Sequence, residues 1–347
     1  LAMTSPERQA AFGARIAMQS GASDADARYG AVIGTVTRDA GLMMDRARYL
    51  RAQGFGGSAR DLFARNRALT YRPADLERFY EMALILAGEA QEARDWGTAY
   101  NIARQLDDAV PYGASVASQS YGVRDHYTSL AWLAGRVAYD RLNNWSGAAA
   151  MFDRYARAGQ SLQVAAKGNY WAGRAYSALN RTADSNGYFQ RAAAVPELFY
   201  GQLALERLGR SVPAPPAASP QAASAAQRAA FNNRRLVQAL RILGQQRRPT
   251  EQALFVQALA TDLNADIDRH LAVELGQQLG RQDLPVWVAR MARNNGSMFY
   301  VREAFPTHRS HGSGSWSLVH GITRQESSFD PYAVSHAGAL GIMQLMR

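Results

Sequence analysis

The chain has 347 residues, room for two or more domains, and its 39 basic against 29 acidic residues give a formal net charge of +10. Its lack of cysteine excludes a disulfide framework and any thiolate metal site. No apolar run is long enough to span a membrane, and a hydrophobic fraction of 47% suits a globular protein.

The first residues, Leu1-Ala2-Met3-Thr4-Ser5-Pro6-Glu7, show no basic segment followed by an apolar core. A signal peptide is therefore expected to have been removed or to be missing from this sequence. Lys167 is the only lysine; the other basic residues are scattered arginines. A protein this basic is attracted to polyanions. No nucleic-acid recognition motif accompanies the charge, so nucleic acid is not expected as a partner. A cell wall bearing peptide carboxylates is another candidate, although genome composition explains the arginine-over-lysine bias better than any function does.

Up to about residue 300 the chain reads as helix after helix, with tetratricopeptide-like pairing in an all-α superhelix. Ser5-Pro6-Glu7 reads as an N-cap followed by proline at the first helical position. Residues 45–53, DRARYLRAQ, form a helical segment stopped by Gly54-Phe55-Gly56-Gly57. That glycine cluster is a turn, since no Gly-Lys-Ser/Thr ending follows to make it a phosphate loop. Segments 76–90 and 96–106 are expected to form one helical hairpin, and 121–141 with 145–157 another.

A weak internal repeat follows. Ala134-Gly135-Arg136 recurs as Ala172-Gly173-Arg174, and Phe152 recurs as Phe189 with the interval one residue shorter. Each copy puts a small-residue helix before an aromatic-bearing one, the pattern of stacked helical pairs. Unrelated hairpins in a compact bundle are the alternative. The expected organisation is a superhelical domain over 1–210, a Pro/Ala-rich linker or surface strap over 211–224, continued superhelix over 225–299, and a further domain beginning at 300. Asn294-Asn295-Gly296 closes the last of these helical runs, and His311-Gly312-Ser313-Gly314-Ser315 is a loop before a final helix beginning near Trp316.

The last stretch carries the chemistry. It reads SLVHGITRQESSFDPYAVSHAGALGIMQLMR. Leu318, Val319 and Ile322 lie on the helical face that reaches Glu326, whereas Arg324 points elsewhere. A carboxyl among hydrocarbon holds its proton to higher pH, as a general acid requires. Otherwise Glu326 is paired to an arginine, or turned outward as the helix ends. Ser327-Ser328-Phe329-Asp330-Pro331 stops the helix, because a proline disfavours helical geometry in the residue before it. Asp330, beside that proline, is read as fixing a turn. Gly338 and Gly341 let backbone pass close to a ligand or helix. Gln344 offers an amide that both donates and accepts, suiting sugar hydroxyls and N-acetyl groups.

The run RQESSFDPYAVSHAGALGIMQLM resembles the start of the catalytic domain of the soluble lytic transglycosylases, in both its Glu-Ser pair and its later Gly-Ile-Met-Gln. Residues 45–50 and 199–204 loosely resemble that family's superhelical part. The resemblance implies a lysozyme-like catalytic domain and peptidoglycan glycan strands as substrate, with other cell-wall enzymes as further candidate partners. It implies a periplasmic location. It also implies Glu326 as the single catalytic acid/base, Ser335, Gln344 and Met346 along the sugar groove, and Ser327 supporting the helix end. The implied reaction cleaves the β-1,4 bond between N-acetylmuramic acid and N-acetylglucosamine without water and leaves a 1,6-anhydro end.

The pattern is broken after Met346. The family continues Met-Pro-Gly-Thr-Ala, whereas Arg347 stands here, and no Tyr-Asn-Ala-Gly-type motif is found. Segment 300–347 is thus expected to be the incomplete N-terminal part of its domain. No cofactor is expected, and no metal either: His308 and His311 lie in a glycine-serine loop without a nearby carboxylate, and there is no HExxH. A hydrolytic muramidase and a non-catalytic helical scaffold are the rival readings. The oligomeric state is left open.

Overall fold

The computed structural model describes residues 5–308 and 315–346. Among these the protein is all-α. No strand forms, and the only sheet-like pairings are isolated bridges joining Asp39 with Tyr71, Val334 with Leu340 and Leu340 with Leu345. The chain divides into two compact units at Ser211/Val212.

The first unit contains α1 (Pro6–Ser20), α2 (Ala25–Gly30), α3 (Ala40–Ala52), α4 (Gly56–Ala64), α5 (Leu76–Glu92), α6 (Trp96–Ala103), α7 (Tyr121–Asp140), α8 (Trp145–Ala158), α9 (Leu162–Ala178), α10 (Thr182–Ala193) and α11 (Phe199–Arg207). The second contains α12 (Ala225–Asn232), α13 (Arg235–Gln245), α14 (Pro249–Asp262), α15 (Asp266–Leu279), α16 (Asp283–Asn294) and α17 (Trp316–Glu326). Short polar side chains start many of them. Asp39, Asp75, Asp95, Ser120, Asn144 and Ser161 each accept an N–H from the first turn, satisfying a donor with no partner inside the helix. Ser5 occupies the N-cap position of α1 but makes no such bond, leaving Pro6 as the helix-starting feature.

A single turn recurs between paired helices. A left-handed residue closes the first helix of α3/α4 (Gly54, φ 82°), α5/α6 (Arg94, 59°), α7/α8 (Asn143, 50°), α9/α10 (Asn180, 57°), α13/α14 (Arg247, 55°) and α15/α16 (Gly280, 67°). The next residue then donates its N–H back into the last turn: Phe55 to Leu50, Asp95 to Ala90, Asn144 to Ala138, Arg181 to Tyr176, Arg248 to Leu243 and Arg281 to Gly276. This consumes carbonyls that a helix end leaves open. The repeat is thus one of hairpin geometry and runs through both units. The cluster at residues 54–57 is only half a turn. Gly54 makes it, but Gly56 and Gly57 already belong to α4, where the first N–H groups need no helical partner.

The Ala-Gly-Arg repeat has a steric cause. A Cβ at Gly135 would lie 2.6 Å from the Phe152 ring, and one at Gly173 would lie 2.7 Å from the Phe189 ring. In both hairpins the glycine lets its helix close on the phenylalanine of the next. Both rings are buried, so they cannot swing aside. Gly135→Ala and Gly173→Ala should each cost about 1–3 kcal/mol through overpacking. Denaturant midpoints measure this, and unchanged midpoints would refute the close-approach explanation.

In the first unit the largest buried side chains are Phe63, Phe79, Tyr80 and Phe152, with Leu42, Met43 and Leu86. The Tyr80 hydroxyl donates to the Leu106 carbonyl at 2.6 Å, so this deep phenol is satisfied. The second unit has its own core, centred on Val237, Leu240, Val256, Leu259, Leu275 and Val288.

Segment 211–224 lies along the second unit as an extended strap. The Tyr300 hydroxyl donates to the Pro213 carbonyl at 2.7 Å, and the Arg302 N–H donates to that of Pro216 at 2.8 Å. Ala218 N–H donates to Glu303 Oε2 at 2.9 Å, and Ser219 N–H donates to His270 Nδ1 at 3.1 Å. Proline-rich backbone lacks donors, so the strap is held mostly through its carbonyls and the few N–H groups between prolines.

His270 makes this strap sensitive to acid. Its Nδ1 is an acceptor, so the ring is neutral, and burial pushes its pKa below the ordinary value despite the opposing carboxylates of Asp266 and Glu303. The unfolded chain therefore binds the proton more readily. Stability contributed by His270 is present above pH ~6.5 and is lost as pH falls from there through the lower folded-state value. Urea midpoints should fall across that window in wild type and fall less in His270→Gln; equal slopes would refute the assignment.

Candidate active site

Helix α17 ends at Glu326, where the run 327–331 is expected to stop it. The backbone ends it, not the proline. Ser328 (φ 56°) and Phe329 (φ 70°) are consecutive left-handed residues, and neither is glycine. Such a conformation costs on the order of 1–3 kcal/mol per residue and persists only where the surroundings impose it.

The surroundings are well defined. Ser327, Ser328, Phe329 and Asp330 are all buried. The Phe329 ring lies 5.2 Å from that of His308 and 6.2 Å from that of His320. The Ser327 hydroxyl lies 2.8 Å from the Ile342 carbonyl and 3.2 Å from that of Thr323, and its single proton joins the helix end to the following loop. Asp330 Oδ1 accepts the Tyr332 N–H at 3.0 Å, and its Oδ2 lies 3.3 Å from the Arg281 guanidinium. Arg281, 4% exposed, also forms a two-pronged pair with Asp283 at 2.8 and 2.6 Å. Burial raises the Asp330 carboxyl above its ordinary range, and Arg281 pulls it part of the way back.

The inward face of α17 differs from the one the apolar pattern indicates. His320, Thr323 and Ser327 are buried, whereas Val319 and Ile322 are half-buried and Leu318 is 61% exposed. Glu326 shares the outward face and is itself exposed. The desolvation implied by a place in an apolar stripe is therefore absent, and of the three arrangements open to Glu326 the outward one holds. Its carboxylate makes no hydrogen bond or ion pair with another described residue. Arg324 does point elsewhere: its guanidinium reaches the Ala304 carbonyl and sits 4.7 Å over the Phe305 ring.

The reason for the choice of face is polar. His320 Nε2 accepts the His308 N–H at 2.9 Å, so Nδ1 carries the proton and donates to the Trp316 carbonyl at 2.8 Å. A fully bonded imidazole is cheap to bury. His308 and His320 thus pack against Phe329, His336 is exposed in the following loop, and His311 with the rest of 309–314 lies outside the described residues.

Ser335, Gln344 and Met346 lie in the loop after the buried turn. Ser335 exchanges bonds with Ala339: Ser335 N–H donates to the Ala339 carbonyl, and Ala339 N–H donates to Ser335 Oγ, both at 3.0 Å. Gln344 is left-handed (φ 51°), which folds its side chain back so that Nε2 donates to the carbonyls of Ala333 at 3.1 Å and Gly341 at 2.8 Å. Its donors hold the loop, leaving only the amide oxygen for a ligand. Met346 is 66% exposed. Gly338 (φ 83°) and Gly341 (φ 74°) are required by conformation, not by close approach: a Cβ at Gly338 meets nothing within 4 Å, and one at Gly341 meets only the Pro331 carbonyl at 3.8 Å. The fold joins Ser327 directly to the Ser335–Gln344 loop through Ile342 and leaves Glu326 standing free beside it.

Three site residues escape sequence reasoning. Arg281 is one among many arginines, far from Asp330 in the chain. The left-handed pair Ser328-Phe329 has no glycine or asparagine to announce it.

Residues 305–347 match the family model described as the Transglycosylase SLT domain. This segment, bearing Glu326 and the buried turn, is therefore the SLT segment of the chain. Among solved structures the protein is similar to an inactive mutant of the lytic transglycosylase Slt from Pseudomonas aeruginosa, at 16% identity over 88% of this chain and 64% of that one, TM-score 0.49. It is likewise similar to the 70 kDa soluble lytic transglycosylase from Escherichia coli, at 16% identity over 93% and 59%, TM-score 0.46. A complex of the 70-kDa soluble lytic transglycosylase with bulgecin A matches at 16% identity over 98% and 62%, TM-score 0.46. The chain thus spans less than two thirds of the length of these structures. No curated protein sequence matches it.

Proposed function

We propose that this chain is part of a peptidoglycan lytic transglycosylase that cleaves the β-1,4 bond between N-acetylmuramic acid and N-acetylglucosamine, with Glu326 as its single acid/base. The observation that carries this reading is an unpaired, exposed carboxylate at the end of α17, set on a strained and fully buried turn within the SLT segment. Strain of this kind is retained where a side chain must be aimed.

The chemistry needs one carboxyl used twice. Protonated Glu326 gives its proton to the glycosidic oxygen as the C1–O bond breaks. The muramic acid C6 hydroxyl then bonds to C1, and its proton passes to the Glu326 carboxylate. The acid is regenerated, a 1,6-anhydro ring is left, and no water is consumed. Most glycosidases need a second carboxylate. Asp330, the nearest acidic side chain in sequence, is committed to Arg281 and buried, which favours the one-carboxyl scheme. Ser335, Gln344 and Met346 would border the sugar groove, with Ser327 holding the helix end. The site of action would be the periplasm. No helix among the described residues is long and apolar enough to cross a membrane.

The test is the product. A chain extended through the whole SLT domain, incubated with purified sacculi, should release muropeptides one water lighter than hydrolysis gives. Hydrated ends, or no release, would overturn this reading.

A further inference from the structure

The first unit contains an open cleft of 440 Å³ bordered by Gln91 in the last turn of α5, Trp96 at the start of α6, Trp132, Arg136 and Asp140 along α7, and Arg141 just past its end. Trp132, Arg136 and Asp140 recur every fourth residue and so share one helix face. Both tryptophans are half-buried: Arg141 lies over the Trp96 ring and Lys167 lies 3.5 Å over the Trp132 ring, and part of each indole stays open to solvent.

The polar groups differ in their commitments. Arg136 Nε donates to Asp140 Oδ2 at 2.7 Å, and its guanidinium lies 4.4 Å from the Trp171 ring. That pair is neutral and fixed. Arg141 is exposed, stacks 4.9 Å from the Trp96 ring, and has no carboxylate partner among the described residues. A stacked guanidinium keeps its in-plane N–H donors available for bidentate recognition of a carboxylate.

These commitments restrict the ligand. Among the described residues lining the cleft Arg141 is the one cation without a carboxylate partner, and with Lys167 over the Trp132 ring there are two, too few for a polyphosphate or nucleic-acid backbone. A purely apolar guest would strip water from Gln91, Asp140 and two arginines without replacing its bonds. A pyranose does neither. Its C–H face packs on indole, and its rim hydroxyls bond to amide, carboxylate and guanidinium edges. One carboxylate on the sugar then answers Arg141.

We propose that this cleft binds a carboxylate-bearing saccharide, as an accessory site on the helical unit; its identity as a muramic acid–containing strand rests on the function proposed above. The lactyl or peptide carboxylate pairs with Arg141, the sugar packs against Trp96 and Trp132, and Gln91 and Asp140 take hydroxyls. The site would hold a strand while the SLT segment acts elsewhere along it.

The test uses the 347-residue chain, titrated with a soluble N-acetylglucosamine–N-acetylmuramic acid fragment and with an uncharged N-acetylglucosamine oligomer. Wild type should bind the carboxylate-bearing fragment more tightly, with shifts of the Trp96 and Trp132 indole N–H resonances. Arg141→Gln should weaken that fragment by about tenfold, toward the level of the uncharged oligomer, because a charge-assisted bond is lost. Trp96→Ala should weaken both. Arg141 is exposed, so its variant folds and is the decisive one. Unchanged binding in Arg141→Gln, unmoved indole resonances, or equal affinity for both ligands in wild type would each overturn the proposal. Arg141-dependent binding by a protein whose extended form cleaves nothing would uphold the cleft and overturn only the catalytic reading.

Discussion

Glu326→Gln, placed in a chain extended through the whole SLT domain, should lower the release of anhydro-muropeptides by about 10²–10⁴-fold or more. Glutamine keeps the shape and hydrogen-bonding reach of the side chain but has no transferable proton. Because the proposed scheme uses one carboxyl for both proton transfers, the loss should lie at or beyond the upper end of that range. Glu326 is exposed and unpaired, so its replacement should move stability by no more than about 0.5 kcal/mol. Glu326→Asp keeps the proton but withdraws it from the glycosidic oxygen, and it too should be strongly impaired. Mass spectrometry of sacculus digests and a thermal melt of each variant separate catalysis from folding. A folded Glu326→Gln protein releasing product at near wild-type rate would end the one-carboxyl mechanism.

Arg281→Met should be the most destabilising single change considered, by about 3–5 kcal/mol, because it leaves Asp283 and Asp330 buried without a counter-charge. The loss should depend on pH in a definite direction. Buried Asp330, already raised by burial and now without Arg281 to oppose it, binds its proton more tightly folded than unfolded, so the variant should regain stability as pH falls through that raised value toward the ordinary ~3.8. Combining Arg281→Met with Asp283→Asn and Asp330→Asn removes the charges altogether and should recover part of the loss at neutral pH. The consequence reaches the site, since Asp330 anchors the left-handed turn on which Glu326 stands. In the extended enzyme, Arg281→Met should therefore lose activity even where it remains folded. Denaturant midpoints across pH give the first result; an unchanged midpoint at neutral pH would show that the ion cluster contributes nothing.

Periodicity and capping residues place most helices well in the sequence. The hairpins at 76–106 and 121–157 correspond to α5/α6 and α7/α8 with small shifts at their ends. The Ala-Gly-Arg repeat was visible because a steric need leaves a residue-level trace: only glycine lets a helix close on Phe152 or Phe189. The wider repeat was not visible. Its defining residue is a left-handed position that glycine fills at 54 and 280, while Arg94, Asn143, Asn180 and Arg247 fill it elsewhere. A backbone conformation that several residue types tolerate leaves no consistent letter behind.

The segment that matches the SLT family model divides along the same line. Glu326, Ser327, Ser335, Gln344 and Met346 could be picked out from the sequence because the Glu-Ser pair and the Gly-Ile-Met-Gln run are short, local signatures. Their surroundings could not. Apolar spacing pointed to Leu318, Val319 and Ile322 as the buried face of α17, yet His320 goes inward because His308 and Trp316 satisfy its imidazole, and Thr323 on the same face is buried with it. Glu326 is left facing outward for that reason. Asp330 read as a turn residue, and it is one through Tyr332, but its second role depends on Arg281, 49 positions earlier in the chain. The sequence by itself placed several of the helices and the steric repeat, and singled out Glu326 as the candidate acid. Burial, charge pairing and the strained turn were decided only by tertiary structure, because each depends on which distant groups arrive to satisfy a polar atom, and local periodicity carries no record of that.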